Sequence, residues 1–181
     1  MRLALKLHPD SRCSAVNHIE VDIVRARPAS LALRYVVTGT IGKLRLPGVT
    51  TPTRADELWR HTCFEAFVRA LPLAAYHEFN FAPSTRWAAY RFSDYREGMS
   101  VASEVGNPGI DVQSNAESYR LQAALALDGL ASLPSDAIWQ FGVSAVIEET
   151  SGALSYWALA HPAGRADFHH SDCFAHELSA A

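Results

Sequence analysis

The chain has 181 residues, 49% of them hydrophobic and 19% charged, the make-up of one ordinary folded domain with a full core rather than a disordered chain. Formal net charge is −3, so no basic field exists to attract nucleic acid or anionic lipid. No apolar run reaches the length of a membrane-spanning helix, which leaves a single globular domain over residues 1–181.

From the first residue onward the pattern is that of strands. Met1–Leu7 alternates Leu3, Leu5 and Leu7 with Arg2 and Lys6; broken by Lys6 and His8 and lacking a small-residue cleavage site, the segment is not expected to be a signal peptide. NHIEVDIV places Ile19, Val21 and Ile23 on one face, and SLALRYVV does the same with Leu31, Leu33, Tyr35 and Val37, with a turn predicted at Arg27-Pro28-Ala29 between them. Residues 39–57 are rich in Gly, Pro and Thr and predict a long connection with a short strand near Leu44.

Three strands follow in close succession, Thr62–Val68, Tyr76–Phe81 and Trp87–Phe92, and they organise the rest of the chain. The connections between them are too short for a parallel crossover, so they predict an antiparallel meander. After an irregular stretch and a turn at Asn107-Pro108-Gly109 come IDVQSNAES, SYRLQAALAL and the apolar IWQFGVSAVIEE, which reads as a central strand. ALSYWALA closes a terminal hairpin, and the His-rich tail from His161 reads as irregular. About nine or ten antiparallel strands without an amphipathic helix predict an all-β sandwich of the jelly-roll or immunoglobulin-like kind.

Period-2 alternation sorts the meander's polar groups. If Phe79 and Phe81 face the core, Tyr76, Glu78 and Asn80 lie on the opposite face, and Cys63, Glu65 and Phe67 share it when Phe64, Ala66 and Val68 point inward. An odd pairing sum then brings Glu65 nearly opposite Glu78. Two such carboxylates suit a glycosidase-like pair, a hard-cation site or anchors for sugar hydroxyls. They are equally the solvated charges of an outer face, or partners for Arg86 and Arg91.

Of the four tryptophans, Trp139 and Trp157 read as core, while Trp59 at a loop-to-strand junction and Trp87 after a turn are the candidates for a rim that stacks on a sugar ring. His61 and Cys63, with His169, His170, Asp172, Cys173 and His176 in the tail, are of the types that bind zinc, yet no CxxC or HxxxH pair occurs. A Cys63–His61 nucleophilic dyad lacks an orienting third group, and a haem would need one of the eight His or two Met as axial ligand. No dinucleotide, P-loop, nucleophile-elbow or HExxH motif is present. Three widely spaced cysteines, Cys13, Cys63 and Cys173, predict reduced thiols and a cytoplasmic protein.

LWRHTCFEAFV, YHEFNFAPSTRWAAYRF and DYREGM, together with the tail FHHSDCF, resemble the bacterial DOMON-like domain, a relative of family 9 carbohydrate-binding modules. The resemblance covers nearly the whole chain and implies a β-sandwich that binds a small ligand, sugar or haem, without catalysing a reaction. Trp59 and Glu65 match the family's Trp and acidic strand residue, and Tyr76, Glu78 and Trp87 its Y-x-E-F…W pattern. Thr85 stands where a hairpin glycine is common, implying a different turn, and His61 where sugar-binding relatives carry an acid. The expected site is therefore a sheet face or rim bearing Trp59, Glu65, Glu78, Asn80, Trp87 and Arg91. Two other readings stay open: a hydrolase using Glu65 and Glu78, and an interaction or dimerisation module that presents a sheet edge or aromatic patch.

Overall fold

The computed structural model describes residues 1–26 and 30–180. It is a sandwich of two antiparallel sheets, as the alternation predicts. The smaller sheet contains β1 (Arg2–Ala4), β3 (Val16–Ala26), β4 (Ser30–Gly39), β10 (Ser118–Ala126) and β9 (Gly109–Ser114), adjacent in that order. The larger contains β2 (Lys6–Leu7), β12 (Leu154–Ala158), β11 (Trp139–Glu148), β5 (Cys63–Ala70), β6 (Tyr76–Phe81), β7 (Trp87–Phe92) and β8 (Ser100–Val101), with β13 (His176–Leu178) also on β11. The described residues form thirteen strands rather than nine or ten, because the first segment splits between the sheets at Leu5 and two- or three-residue strands escape a periodicity test. The turn expected at residues 27–29 lies outside the described residues, and Leu44 makes an isolated bridge to Glu149 rather than a strand.

The smaller sheet is dry on one side only. Ile19, Val21, Ile23, Leu33, Tyr35 and Leu121 are buried against the other sheet, while Arg2, Asp22 and Arg34 make ion pairs on the side facing water. The larger sheet differs: β5, β6 and β11 are buried on both faces. Its inner side carries Phe64, Ala66, Phe79, Phe81 and Phe141 into the sandwich core. A second apolar cluster lies on its outer side, where Phe67, Tyr76, Tyr90 and Phe92 meet Phe168 and Phe174 of the tail.

The tail is thus a cover for that sheet, not a loose end. It docks at Gly142 of β11, where an added Cβ would stand 2.7 Å from the Cys173 carbonyl oxygen, so only the absence of a side chain lets the backbone come so close. β13 then adds to β11 with Leu178 opposite Trp139. Arg25 fastens this end by donating to the carbonyls of Ala137, Leu178 and Ser179, with its guanidinium 3.6 Å from the Trp139 ring centroid.

The β6–β7 hairpin corrects one expectation. Thr85 adopts the left-handed conformation itself, at φ 68°, so the turn is of the kind a glycine serves. Its Oγ1 donates to the Thr50 carbonyl at 2.7 Å, and this bond to the long 39–57 connection holds a conformation that a β-branched residue rarely adopts.

Candidate functional site

The meander register settles which polar groups meet. Glu65 pairs with Asn80 and with Ser144, and Phe67 pairs with Glu78. The pairing sum is odd, and Glu65 and Glu78 are diagonal neighbours on the outer face. Asn80 lies between them in register, opposite one and two residues along from the other. The reading of these carboxylates as solvated charges is overturned: Glu65 is 3% exposed and Glu78 5%, because the tail and the 54–60 segment cover this face.

Both carboxyl groups enter one cavity of about 370 Å³. Its floor is Glu65, Glu78 and Val146; Trp59, Phe92, Tyr156 and Phe168 form apolar walls, and Arg96, Met99 and His169 stand at the edge. Each element delivers its residue for a local reason. Trp59 sits in the short helical turn Leu58–Arg60, entered through Glu57 in the left-handed conformation, and its ring meets Tyr90 edge-on at 6.0 Å. At 36% exposed, it is the one tryptophan with a substantial free face. Tyr156 shares the outer face with Val146, its register partner on β11.

Hydrogen bonds hold the carboxyl groups in place. Ser144 Oγ donates to Glu65 Oε2 at 3.1 Å, and Asn80 Nδ2 to Glu78 Oε1 at 2.6 Å. From across the sandwich, Tyr35 donates to the Glu65 backbone carbonyl at 2.7 Å, fixing the strand beneath the site. Burial pushes the Glu65 carboxyl well above the ordinary carboxylate range, reinforced by the charge of Glu78. Burial also raises Glu78, and the Asn80 amide only partly opposes it.

His169 is wrapped by Phe67, Tyr76 and Phe92, with Phe67 and Phe92 each 5.1 Å away between ring centroids. The Tyr76 oxygen accepts the Arg96 amide at 3.2 Å and hydrogen-bonds His169 Nδ1 at 2.7 Å. His169 Nε2 lies 3.7 Å from Glu78 Oε2. Burial pushes the imidazole down to about 4, so at neutral pH this meeting is not an ion pair. The Arg96 guanidinium donates to Asp167 Oδ1 from Nε at 3.2 Å and from Nη2 at 2.7 Å.

Of the six residues expected at the site, Trp59, Glu65, Glu78 and Asn80 come together on the outer face. Trp87 and Arg91 do not. Phe81 pairs with Trp87 and His77 with Arg91, so both share the inward-facing register. Trp87 is 2% exposed, in the sandwich core beneath the Arg54 guanidinium at 4.2 Å. Arg91, at the sheet margin, donates to Ser100 and Glu104 and neutralises neither site carboxylate. Arg96, Tyr156, Phe168 and His169 were missed; only His169 drew notice, as a metal ligand.

The metal types do not converge. His61 bonds Glu148, Cys63 contacts Asn80, and His170 caps the turn Ser171–Cys173. Among the described residues no group of three or more such ligands forms. The Cys63 thiol is pushed far up by burial, which also removes it as a nucleophile. His169 and Met99, types that hold haem iron, both border the cavity. However, both His169 nitrogens face other groups and Met99 is exposed at the rim, so these residues do not fit a haem. On the other side of the 56–61 segment is a cleft of about 890 Å³, in which Arg45 and His61 bond Glu148 and Arg60 bonds Glu57.

No protein-family model matches the chain, and no characterised protein matches it in sequence. Solved structures do match the fold. A putative carbohydrate-binding protein from Bacteroides uniformis superposes with a TM-score of 0.68 at 14% identity, over 96% of this chain and 83% of that one. A family 9 carbohydrate-binding module from Caldicellulosiruptor kristjanssonii, in complex with cellotriose, does so with a TM-score of 0.50 at 10% identity, over 88% of this chain and 74% of that one.

Proposed function

We propose that the protein is a non-catalytic sugar-binding module of the DOMON-like kind, which takes a ring of about monosaccharide size into the outer-face cavity. The observation that carries this reading is the half-exposed Trp59 bordering the same cavity as two hydrogen-bonded, buried carboxyl groups. An aromatic face packs on the apolar side of a sugar ring, and anchored carboxyls orient its hydroxyls. The sandwich shared with carbohydrate-binding structures supports the reading at the level of fold. Isothermal titration against a panel of mono- and oligosaccharides tests it. At least one sugar should bind, and Trp59→Ala should weaken that sugar by about tenfold, a loss of about 1.4 kcal/mol, with the melting midpoint nearly unchanged. A panel in which no sugar binds overturns it.

A second reading has its own observation, because both carboxyl groups entering one cavity is what a glycoside hydrolase requires. Such a pair divides its roles, one acid kept protonated and the other ionised by environments that push them apart. Here burial pushes both the same way, which favours holding a ligand over cleaving it. Release of aryl alcohol from aryl glycosides, abolished by Glu65→Gln, would reverse that preference.

A further inference from the structure

The cavity's two carboxyl groups share one cation, Arg96, that is itself paired with Asp167, and this narrows its ligand. Each carboxyl group has one oxygen tied down, Glu65 Oε2 by Ser144 and Glu78 Oε1 by Asn80. Among the described residues, Glu65 Oε1 accepts no hydrogen bond and Glu78 Oε2 meets only the neutral His169 Nε2, 3.7 Å away, and both side chains border the cavity although each is more than nine-tenths buried. Two groups could neutralise them. Arg96 lines the cavity and its charge offsets the burial of both carboxyls only in part, its guanidinium being bonded to Asp167, and His169 is neutral at physiological pH, since burial and the Arg96 charge push it down to about 4. The remaining neighbours supply no positive charge: the Cys63 thiol beside Asn80, the Tyr76 hydroxyl on His169, the Tyr90 hydroxyl on Asp56, and Tyr35 from the opposite sheet. The walls are Trp59, Phe92, Tyr156 and Phe168.

A floor of unpaired carboxyl oxygens under aromatic walls is the chemistry that holds a desolvated ammonium: the oxygens accept its hydrogens, and ring faces attract its charge. Building on the sugar-site reading above, we propose that the preferred ligand is an amino sugar, whose protonated amine meets the free oxygens of Glu65 and Glu78 while its ring packs on Trp59. A neutral hydroxyl can accept from a protonated carboxyl, but only a cation offsets the burial of ionised ones. Empty, the buried pair holds protons more tightly than ordinary carboxyl groups do. Ammonium binding displaces those protons to solvent, so affinity rises with pH from the ordinary carboxylate range toward neutrality.

The test is isothermal titration near pH 7.5 with glucosamine, galactosamine and mannosamine, each beside its N-acetyl and its unsubstituted counterpart, in two buffers of different ionisation enthalpy. At least one amino sugar should bind about tenfold or more tighter than both of its neutral counterparts, with net proton release. Glu78→Gln, which is isosteric with the protonated acid and so spares the fold, should bring that ratio toward one. Equal or tighter binding of the neutral members overturns the amino-sugar assignment and leaves the sugar module standing. No binding by any member of this set or of the oligosaccharide panel overturns both. Calcium binding that excludes the amino sugars overturns the assignment in favour of a metal site.

Discussion

The two faces of the larger sheet are both shielded from water, but by different means. On the inner face, alternate residues of β5, β6 and β11 meet a second sheet, and regular strands supply both sides of the contact. On the outer face the same strands carry Glu65, Glu78, Asn80 and Ser144 among aromatics, and the cover is a turn and a tail with little regular structure. A sheet pressed on a sheet leaves no room for a ligand. A sheet under an irregular cover leaves a cavity, and the polar groups there have their hydrogen-bonding capacity only partly used.

Trp87 puts this difference to its hardest test. Trp87→Ala should destabilise the fold by about 3–5 kcal/mol in urea titration, because it empties the sandwich core. A loss below about 1 kcal/mol would mean that the inner face tolerates voids and that the contrast is false.

Gly142→Ala probes the cover. Its new methyl would press on the Cys173 carbonyl and should cost about 1–3 kcal/mol, while weakening ligand binding although residue 142 does not border the cavity. Thermal melting with and without ligand measures both effects. Unchanged binding would show that the tail's seat on β11 is not what shapes the site.

The outer face should also reveal itself through pH. Glu65 and Glu78 bind protons more tightly folded than unfolded, so their contribution is complete in acid and is lost as pH rises from the ordinary carboxylate range through neutrality. His77 and His169, both pushed down to about 4, act in the opposite sense, costing stability as pH falls below the ordinary histidine range. Above about pH 6.5, as the unfolded chain's histidines lose their last protons and their opposing effect fades, stability should decline by on the order of 1 kcal/mol per carboxyl group, and the melting midpoint with it. The Glu65→Gln, Glu78→Gln double variant should flatten that decline; a decline that persists assigns it elsewhere. The smallest effect is expected at Arg91→Ala, where loss of an exposed pair with Glu104 should change stability by no more than about 0.5 kcal/mol and leave binding as it was.

How much of this the sequence disclosed follows from where each residue lies. Glu65, Glu78 and Asn80 were placed on one face because period 2 acts within a strand and needs no knowledge of the turn. Trp87 and Arg91 were misplaced because their face depends on hairpin register, and the turn with Thr85 in the left-handed conformation sets Phe81 opposite Trp87. Burial of the two acids was not legible at all, since it depends on the tail. No periodicity marks Phe168 or His169, and the close approach that seats them rests on Gly142, one glycine within an apolar strand. Arg96 sits in a left-handed position of a loop, at φ 55°, and nothing in DYREGM distinguishes it from a solvated cation.

The tail's attachment by side-chain contacts rather than a strand ladder has a consequence for hydrogen exchange. Between its ends the tail is seated by side-chain contacts, Asp167 on Arg96 and His169 on Tyr76, and by Cys173 over Gly142, with strand pairing only at β13, so it is expected to open at lower cost than the sandwich core, giving a form that keeps the core and loses the cavity. A ligand held by Trp59 on one side and Phe168 and His169 on the other binds only the closed form. Its presence should therefore slow amide exchange selectively around residues 167–173 and β13, leaving the smaller sheet at its unliganded rate.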